Sequence, residues 1–95
     1  MWELYFTKQA KKDARKAAGA GYKHKIEAML EMISEDPFTN SPPFERLVGD
    51  LSGAISRRIN IQHRLVYQVI EDERAIKVLR MWTNGVSLSQ RRKRL

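Results

Sequence analysis

Two runs of strand-forming residues, Ala54 to Asn60 and His63 to Ile70, are separated only by Ile61 and Gln62. β-Branched and aromatic residues in two runs with so short a gap leave one arrangement, an antiparallel hairpin. Successive side chains of a strand point to opposite faces. On the first run Ile55 and Ile59 suit a core, which sends Ala54, Ser56 and Arg58 to the other face. On the second, Leu65, Tyr67 and Val69 suit the core, which sends Arg64, Val66 and Gln68 opposite. Arg58 and Arg64 therefore emerge together on one open face. Arg57 shares the parity of the core residues and must snorkel, lie near an edge or sit at a bulge.

The remaining segments supply partners for this hairpin. Trp2, Leu4 and Phe6 alternate with Glu3 and Tyr5, as in a short strand with one buried face. Thr7 is placed to cap a helix whose stripe is Ala10, Ala14, Ala17 and Ala18, with Gly19 as its stop. After Gly19-Ala20-Gly21, the spacing of Tyr22, Ile26, Met29, Leu30 and Ile33 predicts a second amphipathic helix, ended by Asp36-Pro37. A loop from Pro37 to Phe44 leads into a short extended piece around Glu45 and Leu47, and Gly49-Asp50 turns the chain. Beyond the hairpin, Glu71 to Arg74 makes a turn and Ala75 to Trp82 reads as a further strand. Strand, two helices, then three or four strands imply an α+β domain with a helical hairpin on one sheet face.

Ninety-five residues, 42% of them hydrophobic and 31% charged, suit one globular domain with a modest core. Cysteine is absent, so no disulfide or thiolate metal site can form. No apolar run reaches the length of a membrane span, and Met1-Trp2-Glu3-Leu4 lacks a signal-peptide pattern, so a cytoplasmic location without membrane contact is expected. The net charge of +7 is uneven, because Arg91, Arg92, Lys93 and Arg94 crowd the end of the chain. Setting those four aside leaves fourteen basic residues against eleven acidic ones, a net +3. The boundaries expected are one domain over residues 1–85 and a basic, solvated tail over 86–95.

Two arginines on one open face with a carboxylate nearby form a chemically suggestive set. Guanidinium groups hold phosphate through paired hydrogen bonds and stay charged at any working pH. Glu45, near a short strand of the same sheet, is the candidate base. His63 has the parity of Leu65 and should face away from Arg64 as a structural histidine, and His24 lies on the polar side of the second helix. Two unrelated histidines without acidic companions predict no metal site, and no cofactor is expected.

The run Leu51-Ser52-Gly53, Ser56-Arg57-Arg58-Ile59 and His63-Arg64-Leu65-Val66-Tyr67 resembles the YoeB/Txe family of bacterial toxins in the RelE superfamily. Asp36-Pro37-Phe38 and Glu45-Arg46-Leu47 are similar to further elements of that family, and the likeness extends from the first strand to about Thr83. It implies a RelE-like fold, a mixed or antiparallel sheet of four to five strands with two N-terminal helices on one face. It also implies a ribosome-dependent endoribonuclease that cuts mRNA without a metal and is silenced by a cognate antitoxin of the YefM/Axe kind. Ribosome and mRNA are then partners, operator DNA is met only through the antitoxin complex, and a homodimer is compatible with the family.

Carried over by position, Glu45 matches the base that takes a proton from the ribose 2′-hydroxyl, Arg64 the arginine that steadies charge on phosphorus, and Arg58 a second phosphate contact. Arg57 and Arg80 are expected to contact RNA. The family's last strand usually ends in a His-Tyr pair, the histidine protonating the leaving 5′-oxygen; here Asn84 and Gly85 stand in those places, and Ile55 replaces a frequent aromatic. A non-catalytic antitoxin- or ribosome-binding protein of the same fold is therefore the rival expectation. A DNA-binding module is a weaker one, since the arginines lie on strands and no helix-turn-helix pattern occurs. An acidic antitoxin segment is expected over the Arg58/Arg64 face.

Overall fold

The computed structural model describes residues 1–40, 43–47 and 53–84. Strand β1 (Glu3–Phe6) leads into helix α1 (Lys8–Gly19) and helix α2 (Lys23–Glu35); β2 (Phe44–Arg46), β3 (Ile55–Arg58), β4 (His63–Ile70) and β5 (Ala75–Asn84) follow. The strands form one five-stranded sheet in the order β1-β5-β4-β3-β2, parallel between β1 and β5 and antiparallel elsewhere. This is the α+β, RelE-like arrangement expected from the sequence, with β1 and β2 as its edges.

Local chemistry sets the boundaries. Thr7 Oγ1 accepts from the Ala10 N–H at 3.0 Å and donates to the Leu79 carbonyl at 2.9 Å, so one hydroxyl caps α1 and ties its start to β5. Gly21 turns the chain between the helices at φ 86°, a conformation that a side chain would strain. Asp36, extended at φ −151°, ends α2 before Pro37 as expected.

The core lies between helices and sheet. Ala10, Ala17, Ile26, Met29 and Ile33 meet Ile55, Ile59, Leu65, Tyr67, Ile76 and Val78, all nearly inaccessible to water. The α1 stripe differs from expectation. Asp13 is buried within it, Ala14 is half-buried and Ala18 is exposed.

Two strand limits also differ. β3 stops at Arg58 because the Asn60 side chain organises the hairpin turn, its Oδ1 accepting from Gln62 N at 2.8 Å and His63 N at 2.7 Å. β5 runs on to Asn84, because β4 begins at His63 and needs partners there. Register between β4 and β5 shifts twice, between Arg64 and Val66 and between Val66 and Tyr67, so β5 carries extra residues opposite them. The shift leaves the Met81 N–H pointing at α1, where buried Asp13 Oδ2 accepts it at 3.1 Å.

Candidate active site

Cross-strand register brings the candidate residues together. Glu45 lies opposite Ser56, and Arg58 opposite Arg64. Directly opposed residues share a face, and Ser56 and Arg58 are two apart on one strand, so all four project to the same side. Arg64 Nη1 donates to Glu45 Oε1 at 2.5 Å and to Ser56 Oγ at 3.2 Å. Ser56, Ala54 and Val66 are buried beneath, and Arg58 is exposed. Two guanidinium groups opposite one another repel, and the Glu45 carboxylate placed against Arg64 offsets that.

The face opens into a groove of about 600 Å³ lined by Lys25, Phe44, Glu45, Ser56, Arg58 and Arg64, among others. It can take an anion on two guanidinium groups with a carboxylate beside it. Lys25, brought to the rim from α2, was not foreseeable from strand parity, since only the tertiary position of α2 puts it there.

Arg57 corrects its expectation. It is wholly buried, not open to RNA, with Nε donating to Tyr67 Oη at 2.8 Å and Nη2 to the carbonyls of Pro37 at 3.1 Å and Thr39 at 2.6 Å. Its guanidinium also lies 4.9 Å from the centre of the Phe44 ring. Its core parity was thus resolved by internal partners, which fix the loop leading into β2. Burial raises the Tyr67 phenol above its usual 10.0, against the opposing pull of Arg57.

Arg80 also departs from expectation. It points to α1 and grips buried Asp13, Nε to Oδ2 at 2.7 Å and Nη2 to Oδ1 at 3.3 Å. Burial alone would raise the Asp13 carboxyl; the hydrogen bonds from Arg80, the Met81 N–H and Gln9 outweigh it and hold the group below 3.8. The Arg80 side chain remains 34% exposed.

His63 turns away from Arg64, as its parity requires. Its ring stacks on Trp82 with centroids 3.8 Å apart and planes within 7°, and Trp82 meets Tyr22 at 5.2 Å. The backbone of Asn84 pairs opposite His63, which puts the end of β5 beside the start of β4. The Gly49-Asp50 turn, Gly85 and the tail 86–95 lie outside the described residues. Among the described residues no group of three His, Cys, Asp or Glu gathers as a metal site, and no helix is long and apolar enough to cross a membrane.

Comparison with known proteins identifies the family and the fold. A family model described as the YoeB-like toxin of bacterial type II toxin-antitoxin systems matches residues 3–82. Toxin YoeB of Streptomyces coelicolor is 44% identical over 52 residues, 55% of this chain and 62% of that protein, so the match spans less than two thirds of the relative. Among solved structures, a YoeB/ParE toxin from Agrobacterium tumefaciens superposes with a TM-score of 0.77 at 27% identity, covering 86% of this chain and 98% of that one. A heterotetrameric YoeB-YefM toxin-antitoxin complex from Staphylococcus aureus gives 0.73 at 29% identity, covering 88% and 98%.

Proposed function

The chain belongs to the YoeB-like toxins of bacterial type II toxin-antitoxin systems, and on that premise we propose that it is a ribosome-dependent endoribonuclease acting on mRNA in the cytoplasm. The observation that carries the reading is the cluster of Glu45, Arg64 and Arg58 around buried Ser56 on one side of the sheet, at the rim of the groove. Glu45 takes the proton from a ribose 2′-hydroxyl, and the oxygen attacks the adjacent phosphorus. Arg64 and Arg58 meet the negative charge that builds on the phosphoryl oxygens, fixed dipoles and charges being most effective where charge develops. The P–O5′ bond then breaks, and the departing oxygen needs a proton. Base and acid in this scheme are side chains or water, so the residues named account for the step without a metal.

The weak point of the machinery is the acid. Asn84 stands where the family has its histidine, and a carboxamide is no useful proton donor near neutral pH. Water then protonates the leaving oxygen, and turnover is attenuated. Asn84 and Gly85 also favour a second reading, a toxin-fold protein that binds antitoxin or ribosome without cutting. The partner common to both is an acidic antitoxin segment laid over the Arg58/Arg64 face, and a homodimer is the further assembly the family suggests.

Primer extension on mRNA in translating ribosomes tests the proposal. Cleavage that depends on Glu45 and Arg64 supports the nuclease; its absence at any protein concentration leaves the binding protein.

A further inference from the structure

Strand β5 does not keep one register against β4. Tyr67 pairs with Val78, and an unbroken ladder from there would set Val66 opposite Leu79, Arg64 opposite Met81 and His63 opposite Trp82. The pairs found are Val66 with Arg80, Arg64 with Thr83 and His63 with Asn84, one residue further along at Val66 and two at the strand's end. Two register shifts therefore decide which residues of β5 stand beside Arg64. At the second, Leu65 alone lies between Arg64 and Val66, while Met81 and Trp82 both lie between their partners. Met81 is in the core and Trp82 packs against it, two consecutive side chains on one face as in a bulge.

Helix α1 and its cap meet β5 at both shifts. Thr7 N–H donates to the Val78 carbonyl at 3.1 Å and Thr7 Oγ1 to the Leu79 carbonyl at 2.9 Å. Two consecutive carbonyls thus turn to one residue, where a regular strand points them to opposite sides. Further along, Asp13 Oδ2 accepts the Met81 N–H at 3.1 Å and Arg80 Nε at 2.7 Å. Its Oδ1 accepts from Arg80 Nη2 at 3.3 Å and from Gln9 Nε2 at 3.2 Å. Asp13 is wholly buried in the stripe that holds Ala10 and Ala17. A buried ion pair is often no more stabilising than apolar side chains in its place. What the carboxylate supplies and alanine cannot is an acceptor for the backbone N–H at the second shift.

We infer that Asp13 is a positioning residue: by accepting the Met81 N–H it holds the shifted register of β5, and so fixes which residues stand beside Arg64. Without the acceptor that buried N–H is unmet, which is penalised, and closing both shifts returns the segment to a regular ladder. Thr83 and Asn84 then move two residues past Arg64, about 7 Å at about 3.4 Å per residue. A slip of two keeps both on their present faces, so alternation at the strand's end does not oppose it. The force that does oppose it is the packing of Met81, which leaves the core in the regular ladder. The consequence for catalysis rests on the proposed function; the register itself does not.

The test reads the register of the full, isotope-labelled chain by NMR, from cross-strand NOE contacts between backbone protons. Two double variants, Asp13→Asn/Arg80→Met and Asp13→Leu/Arg80→Met, remove the ion pair alike and leave no buried charge alone. They differ in the acceptor, which asparagine keeps and leucine, with the same branched skeleton, lacks. The first should show the native contacts of Arg64 with Thr83 and of His63 with Asn84. The second should lose both and gain Arg64 with Met81 and His63 with Trp82. Should leucine prove too large for the chain to fold, Asp13→Ala/Arg80→Met continues the stripe of Ala10 and Ala17 and gives the same comparison.

Native contacts in the variant without an acceptor overturn the inference in favour of Met81 packing; their loss in both variants overturns it in favour of the ion pair. In chains that also carry Asn84→His and Gly85→Tyr, the acceptor-free variant should lose about 10²-fold or more in kcat for ribosome-dependent cleavage, with KM unchanged. The asparagine variant should lose neither. A slipped register with undiminished kcat refutes the positioning role. A register that slips only without the acceptor, in a chain that never cleaves RNA, sinks the nuclease reading and leaves this one standing.

Discussion

Arg64 and Glu45 are joined at 2.5 Å, yet the arginine side chain is 19% exposed and the carboxylate 66%. Arg64 is held by its surroundings and Glu45 is not. In the proposed reaction an incoming phosphate replaces the carboxylate on a guanidinium that stays in place, and the displaced carboxylate stays beside the 2′-hydroxyl that the proposal has it deprotonate.

Arg64→Ala and Glu45→Gln should each lower mRNA cleavage on translating ribosomes by about 10²-fold or more, in the range found when a charge-stabilising group or a general base is removed. Glu45 is exposed, so Glu45→Gln should change stability by no more than about 1 kcal/mol in urea, whereas Arg64→Ala also removes buried packing and the bond to Ser56 and should cost more. Equal loss of activity and of stability in either variant would count against a role in the reaction.

Arg57 should behave in the opposite way. Its replacement by Met leaves Tyr67 Oη and the Thr39 carbonyl without the donor that Arg57 supplies, while the Pro37 carbonyl keeps Tyr67 Oη at 2.7 Å. The expected cost is about 2–4 kcal/mol of unfolding free energy by urea titration. Arg58→Met, at an exposed position, should cost less than about 1 kcal/mol. A stable Arg57→Met protein would mean that the clamp is not needed to hold the β2 loop.

The hairpin and its two faces were legible because strand period and a short gap are local properties of Ala54 to Ile70. The same alternation put Ser56, Arg58 and Arg64 on one face, while Glu45 was placed near them only by its short strand and by the family resemblance. Arg57 was misassigned, and the pairing of Arg80 with Asp13 missed, for one physical reason. Their partners lie far away in the chain, Pro37 twenty positions from Arg57 and Asp13 sixty-seven from Arg80, and no local pattern reports them. The two register shifts of β5 were hidden as well, since they exist only in relation to β4.

Asp13 gives the molecule a definite acid sensitivity. Its carboxyl is held below the usual 3.8 in the folded state. A depressed folded value contributes stability above the unfolded value, and that contribution is lost as pH falls through the folded one. Thermal midpoints should thus drop more steeply for the native chain than for Asp13→Asn as pH falls below about 4. At pH 7 Asp13→Asn should be the less stable of the two, because Arg80 loses its charge partner. Parallel pH profiles for the two proteins would remove Asp13 from the acid response.

The end of β5 offers the sharpest test of the nuclease reading. If Glu45 and the arginines are placed for cleavage, the missing function is the proton donor at position 84, whose backbone lies opposite His63. General acid catalysis contributes roughly 10²–10⁴-fold, about 3–5 kcal/mol of barrier. Water still protonates the leaving oxygen slowly, so the native chain should retain low activity. Asn84→His with Gly85→Tyr, in a chain ended at residue 85, should raise ribosome-dependent cleavage by about two orders of magnitude or more. Glu45→Ala in that background should remove most of the gain, because base and acid serve the same displacement. Cleavage rates of a translating mRNA for the three proteins decide the matter. No gain on restoration would mean that position 84 does not serve the leaving oxygen. A native chain already as fast as the restored one would point to another donor. His63 is the first to replace in that case, even though its ring is stacked on Trp82 and turned from Arg64.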